Sequence, residues 1–192
     1  MIGRRRTLLA LALGLALAAC GGATPTPAPR AASPSAAVPR FRLTSAAFAN
    51  DQPIPVRYTC DGQGLSPPLA WDGQPPDVAS YALVVDDPDA RGDFTHWLLV
   101  DLPGAAVSLP EGVPAGDRPP VGGVQGKNDF GKSGYGGPCP PAGAAHHYHF
   151  TLYALDATLG LAPGVAKPQV LAALNGHILA EAQLVGAYRR QG

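Results

Sequence analysis

The chain carries little charge, and what it carries cancels. Only 15% of its 192 residues are charged, with 14 basic against 14 acidic side chains. No basic stripe or tail is present, which removes the electrostatic footprint that nucleic-acid binding needs. The G-x-S-x-G pattern is missing: Ser133 sits in "GKSGYG" (131–136), so the nucleophile elbow of a serine hydrolase has no counterpart. The three cysteines and five histidines show no zinc-motif spacing. No internal repeat occurs, and the one long apolar run, "TLLALALGLALAA" (7–19), is too short and too weakly flanked for a stable membrane span. Glycine (24) and proline (22), by contrast, are abundant, which favours turns and loops over long helices.

The N-terminus reads as an export signal. Arg4, Arg5 and Arg6 form a positive region ahead of the apolar run, which ends in "LAAC" (17–20) followed by Gly21. This resembles a bacterial lipobox, in which Cys20 is acylated and becomes the mature N-terminus; ordinary secretion with a free Cys20 is the alternative. The expected organisation is a lipoprotein signal peptide over 1–19, a lipidated Cys20 and Pro/Ala-rich tether over 20–39, and a folded domain over 40–192. Cleavage removes three arginines and leaves eleven basic against fourteen acidic residues, net −3 with histidine neutral. So mildly acidic a domain is not drawn to anionic lipid, and the acyl chains would hold it at the membrane instead. The tether, "GGATPTPAPRAASPSAAVP" (21–39), cannot bury enough apolar surface to fold and reads as extended polyproline. With Cys20 acylated, Cys60 and Cys139 are the cysteines that remain, and export would place them in an oxidising compartment. A disulfide between them is expected, with two buried thiols as the alternative, since geometry rather than spacing decides.

Beyond residue 40 the pattern is β-rich. "SYALVVDD" (80–87), "THWLLVDL" (95–102) and "HHYHFTLYAL" (146–155) are apolar enough to be buried strands. "FRLTSAAF" (41–48) and "VRYTC" (56–60) read as further strands. "KPQVLAALNG" (167–176) reads as a helix, with proline near its start and Asn-Gly as its stop. "HILAEAQL" (177–184) reads as a second short helix before a final strand, "VGAYRR" (185–190). The fold class is therefore mainly β with one or two short C-terminal helices.

Two clusters carry candidate chemistry. In 146–150, strand alternation puts His146, Tyr148 and Phe150 on one face and His147 and His149 on the other. An i, i+2 histidine pair can bind zinc, but a zinc site needs three or four converging ligands, and no metal is assigned. The plain reading of these histidines is hydrogen bonding within a half-buried strand. The second cluster, "VVDDPDARGDFTHWLLV" (84–100), sets Asp86, Asp87 and Asp89 at a strand end, then a glycine turn, then His96 and Trp97 entering the next strand. It reads either as a small polar pocket or as a solvated acidic turn begun at Asp87-Pro88.

"DPDA…FTHW", taken with "GKNDFGKSGYGGPCPPAGAAHHYHFTLYALD" (126–156), resembles the phosphatidylethanolamine-binding protein family, and in particular its bacterial Raf-kinase-inhibitor-like branch. "YTCDGQGLSPPLAW" (58–71) and "GHILAEAQLVGAYRR" (176–190) support the resemblance, which spans about residues 41–190 in the expected order. The resemblance implies a β-sandwich with a small anion pocket that takes phosphate-like groups, carboxylates or phospholipid headgroups. Carried over position by position, it nominates Asp87, His96 (after the aromatic position held by Phe94), a rim of Gly137, Cys139 and Pro140, then His146 and Tyr148, with Tyr188 as a further wall residue. Two positions depart from the family pattern: Arg91 replaces a proline beside the pocket, and His147 replaces an arginine between His146 and Tyr148.

The implied function is an exported, membrane-anchored lipoprotein that binds small anions or phospholipid headgroups, needs no cofactor and modulates a partner protein. Its family members are binding or inhibitory proteins rather than catalysts. The alternatives are a protease-inhibitor-like protein and a hydrolase in which Asp87 and His96 activate water. Regulation of a cytosolic kinase transfers poorly to an exported chain.

Overall fold

The computed structural model describes residues 40–190; the leader, Cys20 and the tether lie outside them. In chain order the elements begin with β1 (Arg42–Thr44), β2 (Gln52–Pro53), β3 (Leu69–Asp72), β4 (Ser80–Asp87) and β5 (Phe94–Pro103). They continue with β6 (Ser108–Leu109), β7 (Val124–Gln125), β8 (His146–Leu155), α1 (Lys167–Leu174) and β9 (Ile178–Tyr188). Two sheets form, one of three strands ordered β1-β3-β6 and one of six ordered β2-β9-β8-β4-β5-β7. Every pairing in the larger sheet is antiparallel except β2 with β9.

Burial on both faces explains why β4, β5 and β8 read as continuous apolar runs. Tyr81, Leu83 and Val85 point into a core shared with Leu43, Trp71 and Leu109 of the small sheet. Ala82 and Val84, one residue out of phase, point the other way and pack with Val170 and Leu174 of α1. The two sheets and, among the described residues, the one α-helix agree with the expected class. Asn175 leaves helical geometry after α1, and Gly176 at φ 85° completes the stop.

Three local expectations are corrected. The strand expected over 41–48 is only Arg42–Thr44. The strand expected over 56–60 is a short 3-10 turn, Val56–Tyr58, where Pro53 and Pro55 break up the ladder. The second helix does not form: residues 178–188 are one continuous strand, paired along β8 from His146↔Tyr188 to Leu155↔Ile178. Leu, Ala, Glu and Gln favour a helix intrinsically, but the whole length of β8 offers this segment a partner. Ala182, Leu184 and Tyr188 are buried at period two, as a strand face demands.

Antiparallel pairing also positions the site. The C-terminal end of β4 lies beside the N-terminal ends of both β5 and β8, with Asp87 opposite Phe94 and Asp86 opposite His149. The two motifs, about fifty residues apart in sequence, thus meet at one end of the sheet.

Candidate functional site

A cavity of about 220 Å³ opens at that end, lined by Asp87, Ala90, Phe94, His96, Phe130, Cys139, Pro140, Pro141 and His146. Its polar centre is the pair of Asp87 and His146. His146 Nδ1 lies 2.7 Å from Asp87 Oδ2, and the two side chains are 17% and 4% exposed. The other carboxylate oxygen, Oδ1, accepts from the backbone N–H groups of Asp89 (3.0 Å) and Ala90 (3.1 Å). The D-P-D-A turn thereby satisfies a carboxylate that burial would otherwise penalise. A carboxylate can only accept, so His146 Nδ1 carries a proton, and Nε2 is the atom left for a ligand.

His96 is held differently. Its Nδ1 lies 2.7 Å from the Gly136 carbonyl, and the Gly136 N–H donates back to the His96 carbonyl at 2.8 Å. A carbonyl only accepts, so Nδ1 is the protonated nitrogen and Nε2 of the neutral ring is an acceptor. Phe94, Phe130 and Tyr148 surround the imidazole at ring-centroid distances of 5.2, 5.4 and 5.0 Å. Burial lowers the His96 pKa below the usual histidine range, and the Gly136 carbonyl and the nearby aspartates only partly oppose this. The neutral ring, with Nε2 as acceptor, is thus the form that burial favours for His96.

The residues that the family motifs nominate separate on folding. Asp87, His96, Cys139, Pro140 and His146 line the cavity. Tyr148 stands behind His96, 1% exposed, and its hydroxyl has no protein partner among the described residues. Burial, followed by the Asp87 charge, pushes the ionisation of that phenol far above its ordinary range. Gly137 lies beyond Phe130, in a neighbouring hollow with Asn128 and Tyr135. Its lack of a side chain serves packing, because a Cβ there would sit 2.9 Å from the Tyr58 carbonyl oxygen. Tyr188 donates its hydroxyl to Asp61 at 2.7 Å and lines a different hollow with Ile54 and Pro55. The hydrolase alternative pairs Asp87 with His96, but the histidine bonded to Asp87 is His146. Among the described residues, no group of three or more His, Cys, Asp or Glu side chains is placed to hold a metal.

Phe130 and Gly136 belong to the site and escape the sequence reading. The Phe130 ring packs edge-on against Phe94 and His96, and a Cβ on Gly136 would meet that ring at 2.4 Å. Glycine is thus required where the loop holds His96. In the sequence, only the aromatic residue in "NDFG" within a loop otherwise poor in apolar residues hinted at this. Cys60 and Cys139 are joined by a disulfide that closes one side of the rim, and the Cys60 N–H donates to the Pro138 carbonyl at 3.0 Å.

Comparison with known proteins agrees with the fold. The family model for phosphatidylethanolamine-binding protein matches residues 44–189. A UPF0098 protein of Methanothermobacter thermautotrophicus is 52% identical over 149 residues, which is 77% of this chain and 98% of that one. The protein named "Putative lipoprotein LppC" of Mycobacterium tuberculosis is 40% identical over 160 residues, 82% of this chain and 77% of its own. Among solved structures, the phosphatidylethanolamine-binding protein homolog CT736 of Chlamydia trachomatis superposes with a TM-score of 0.73 at 40% identity, covering 80% of this chain and 99% of that one. Escherichia coli YbcL, described as a member of the mammalian family, gives 0.73 at 32% identity over 79% and 99%. With the model spanning most of the sequence and relatives matched along almost their whole length, the chain belongs to the phosphatidylethanolamine-binding protein family.

Proposed function

We propose that the cavity binds a small, singly charged anionic group, phosphate-like or the headgroup of a phospholipid, without turning it over. The observation that carries this reading is the Asp87–His146 pair in a cavity whose other walls, His96 apart, are mainly apolar. Asp87 orients the ring, so that His146 Nε2 donates to an anion when the imidazole is protonated. Among the described residues no lysine or arginine lines the cavity, and Asp87 itself opposes a second negative charge on the ligand. A phosphodiester, a carboxylate or a protonated phosphate suits such a site better than a dianion. The volume falls below the roughly 300–1,000 Å³ of pockets for drug-sized ligands, which fits a headgroup and excludes acyl chains from the interior.

The protein would act as a lipid-anchored binding module on an exported face of the cell. The lipobox-like "LAAC" supports the anchor, as does similarity to a relative whose name calls it a lipoprotein. The test is calorimetry with inorganic phosphate, phosphoethanolamine and acetate, together with an assay for released phosphate from phosphoesters. Binding that raises stability without turnover is the expected result; absence of binding by all three ligands, or turnover, would overturn the proposal.

A further inference from the structure

The wall of the cavity is one residue thick. Asp87, Phe94, His96 and Phe130 face the cavity, while their chain neighbours Asp93, Thr95 and Asp129 line a separate hollow of about 390 Å³ bordered by the start of α1. Asp86, next to Asp87, likewise reaches the α1 side, where it meets Lys167. This is the alternation of extended chain, with the site in front and the helix behind.

One side chain ties the back of this wall together. Lys167 Nζ donates to Asp86 Oδ2 at 2.6 Å and to Asp93 Oδ2 at 2.7 Å, and the lysine side chain is only 13% exposed. Burial works against its charge, but the hydrogen bonds and charges of the two aspartates outweigh it and raise its pKa. Asp86 lies in the last two residues of β4, and Asp93 immediately precedes β5, so the two ion pairs span the β4–β5 turn. The first half of that turn is also held by Asp87 Oδ1, which accepts from the Asp89 and Ala90 N–H groups, and by Asp89, whose carboxylate accepts from the His147 N–H; Asp93, at its far end, depends on Lys167. The turn's backbone hydrogen bonds, Ala90 N–H to Asp87 and Asp93 N–H to Ala90, are both long at 3.3 Å. Asp93 sits at φ 56°, a left-handed conformation unfavourable for a residue with a Cβ, directly after Gly92 at φ 85°. The base of the clamp is firm, because Val170 and Leu174 bury α1 against the sheet.

We propose that Lys167 is a positioning residue for the cavity. From behind the sheet it clamps the β4–β5 turn, so that Asp87 meets His146 and Phe94 stands against His96. The ligand half of this proposal rests on the anion-binding reading; the geometric half does not.

The experiment uses the full chain and four variants: Lys167→Met, Lys167→Arg, Asp93→Asn and Lys127→Met. Lys127 lines the same hollow but has no carboxylate partner among the described residues, so its variant is the control. Two quantities are read: phosphate affinity by calorimetry, and the imidazole NMR signals of His96 and His146 without ligand. Lys167→Met should weaken phosphate binding roughly 2- to 30-fold, the range for residues that act through others, and should move the His146 signals. Lys167→Arg, which keeps the charge and can reach both carboxylates, should recover most of both readouts. Asp93→Asn should shift them less and in the same direction, and Lys127→Met should leave them unchanged. Wild-type affinity and unmoved imidazole signals in Lys167→Met would overturn the proposal. Should the wild-type protein fail to bind phosphate, the affinities are read with phosphoethanolamine and acetate instead; if it binds none of the three, the anion reading falls while the imidazole signals still decide the positioning role. If Lys167→Met does not fold, Asp93→Asn decides the positioning role on the same readouts.

Discussion

Replacing His146 by alanine tests the polar centre of the site. The Asp87 carboxylate accepts from His146 at 2.7 Å and from two backbone N–H groups at 3.0 and 3.1 Å. The substitution removes the first and leaves the other two. The vacated side is the cavity itself, so water reaches the exposed oxygen. The expected loss of stability is therefore that of one charged hydrogen bond, about 1.5–3 kcal/mol, rather than the roughly 3–5 kcal/mol of a stranded buried charge. The ligand loses one charge-assisted donor of similar worth, which corresponds to roughly a 10- to 150-fold weaker affinity for phosphate. Urea unfolding and calorimetry read the two effects separately. Adding Asp87→Asn completes a double-mutant cycle, in which the two single effects should overlap by about 1–3 kcal/mol. Wild-type affinity in His146→Ala, or simple additivity with Asp87→Asn, would refute the reasoning.

Other parts of the molecule carry three further predictions. Cys60 and Cys139 are 79 residues apart, so their replacement by serine should cost about 4.5 kcal/mol by loop entropy; a urea-measured loss under about 1 kcal/mol would count against a stabilising bridge. Buried neutral His96 has a lowered folded-state pKa, so below about pH 6.5 the unfolded chain takes up a proton that the folded chain does not. Stability should then fall on acidification at up to about 1.4 kcal/mol per pH unit, and His96→Asn, which can still donate to the Gly136 carbonyl, should lack that component; identical pH profiles would contradict it. Cys20→Ser should move the protein out of the membrane fraction, and unchanged fractionation would show that an acyl anchor is not what holds it.

How much is legible in the sequence depends on whether the signal is local. The runs at 80–87, 95–102 and 146–155 are readable because the middle of each strand is buried on both faces and is accordingly apolar, with polar side chains gathered mostly towards the ends. The helix at 167–174 is readable because proline opens it and Asn175–Gly176 end it. The segment at 178–184 misleads, since its residues favour a helix and its strand state comes from a partner about thirty residues earlier in the chain; 185–188, read as strand, is strand.

The same division runs through the site. Residue types and family motifs suffice to nominate Asp87, His96 and His146 as polar groups at strand ends, because chemistry of that kind needs those side chains whatever surrounds them. Which histidine bonds Asp87 is settled by antiparallel register, which sets the start of β8 beside the end of β4. That Tyr148 lies behind His96 rather than in the cavity follows from the packing of four rings. The contribution of Lys167, eighty-one residues from Asp86, exists only because α1 docks on the far face of the sheet. Local patterns record which groups are present; their distances and protonation depend on contacts between segments remote in sequence, and only tertiary packing creates those.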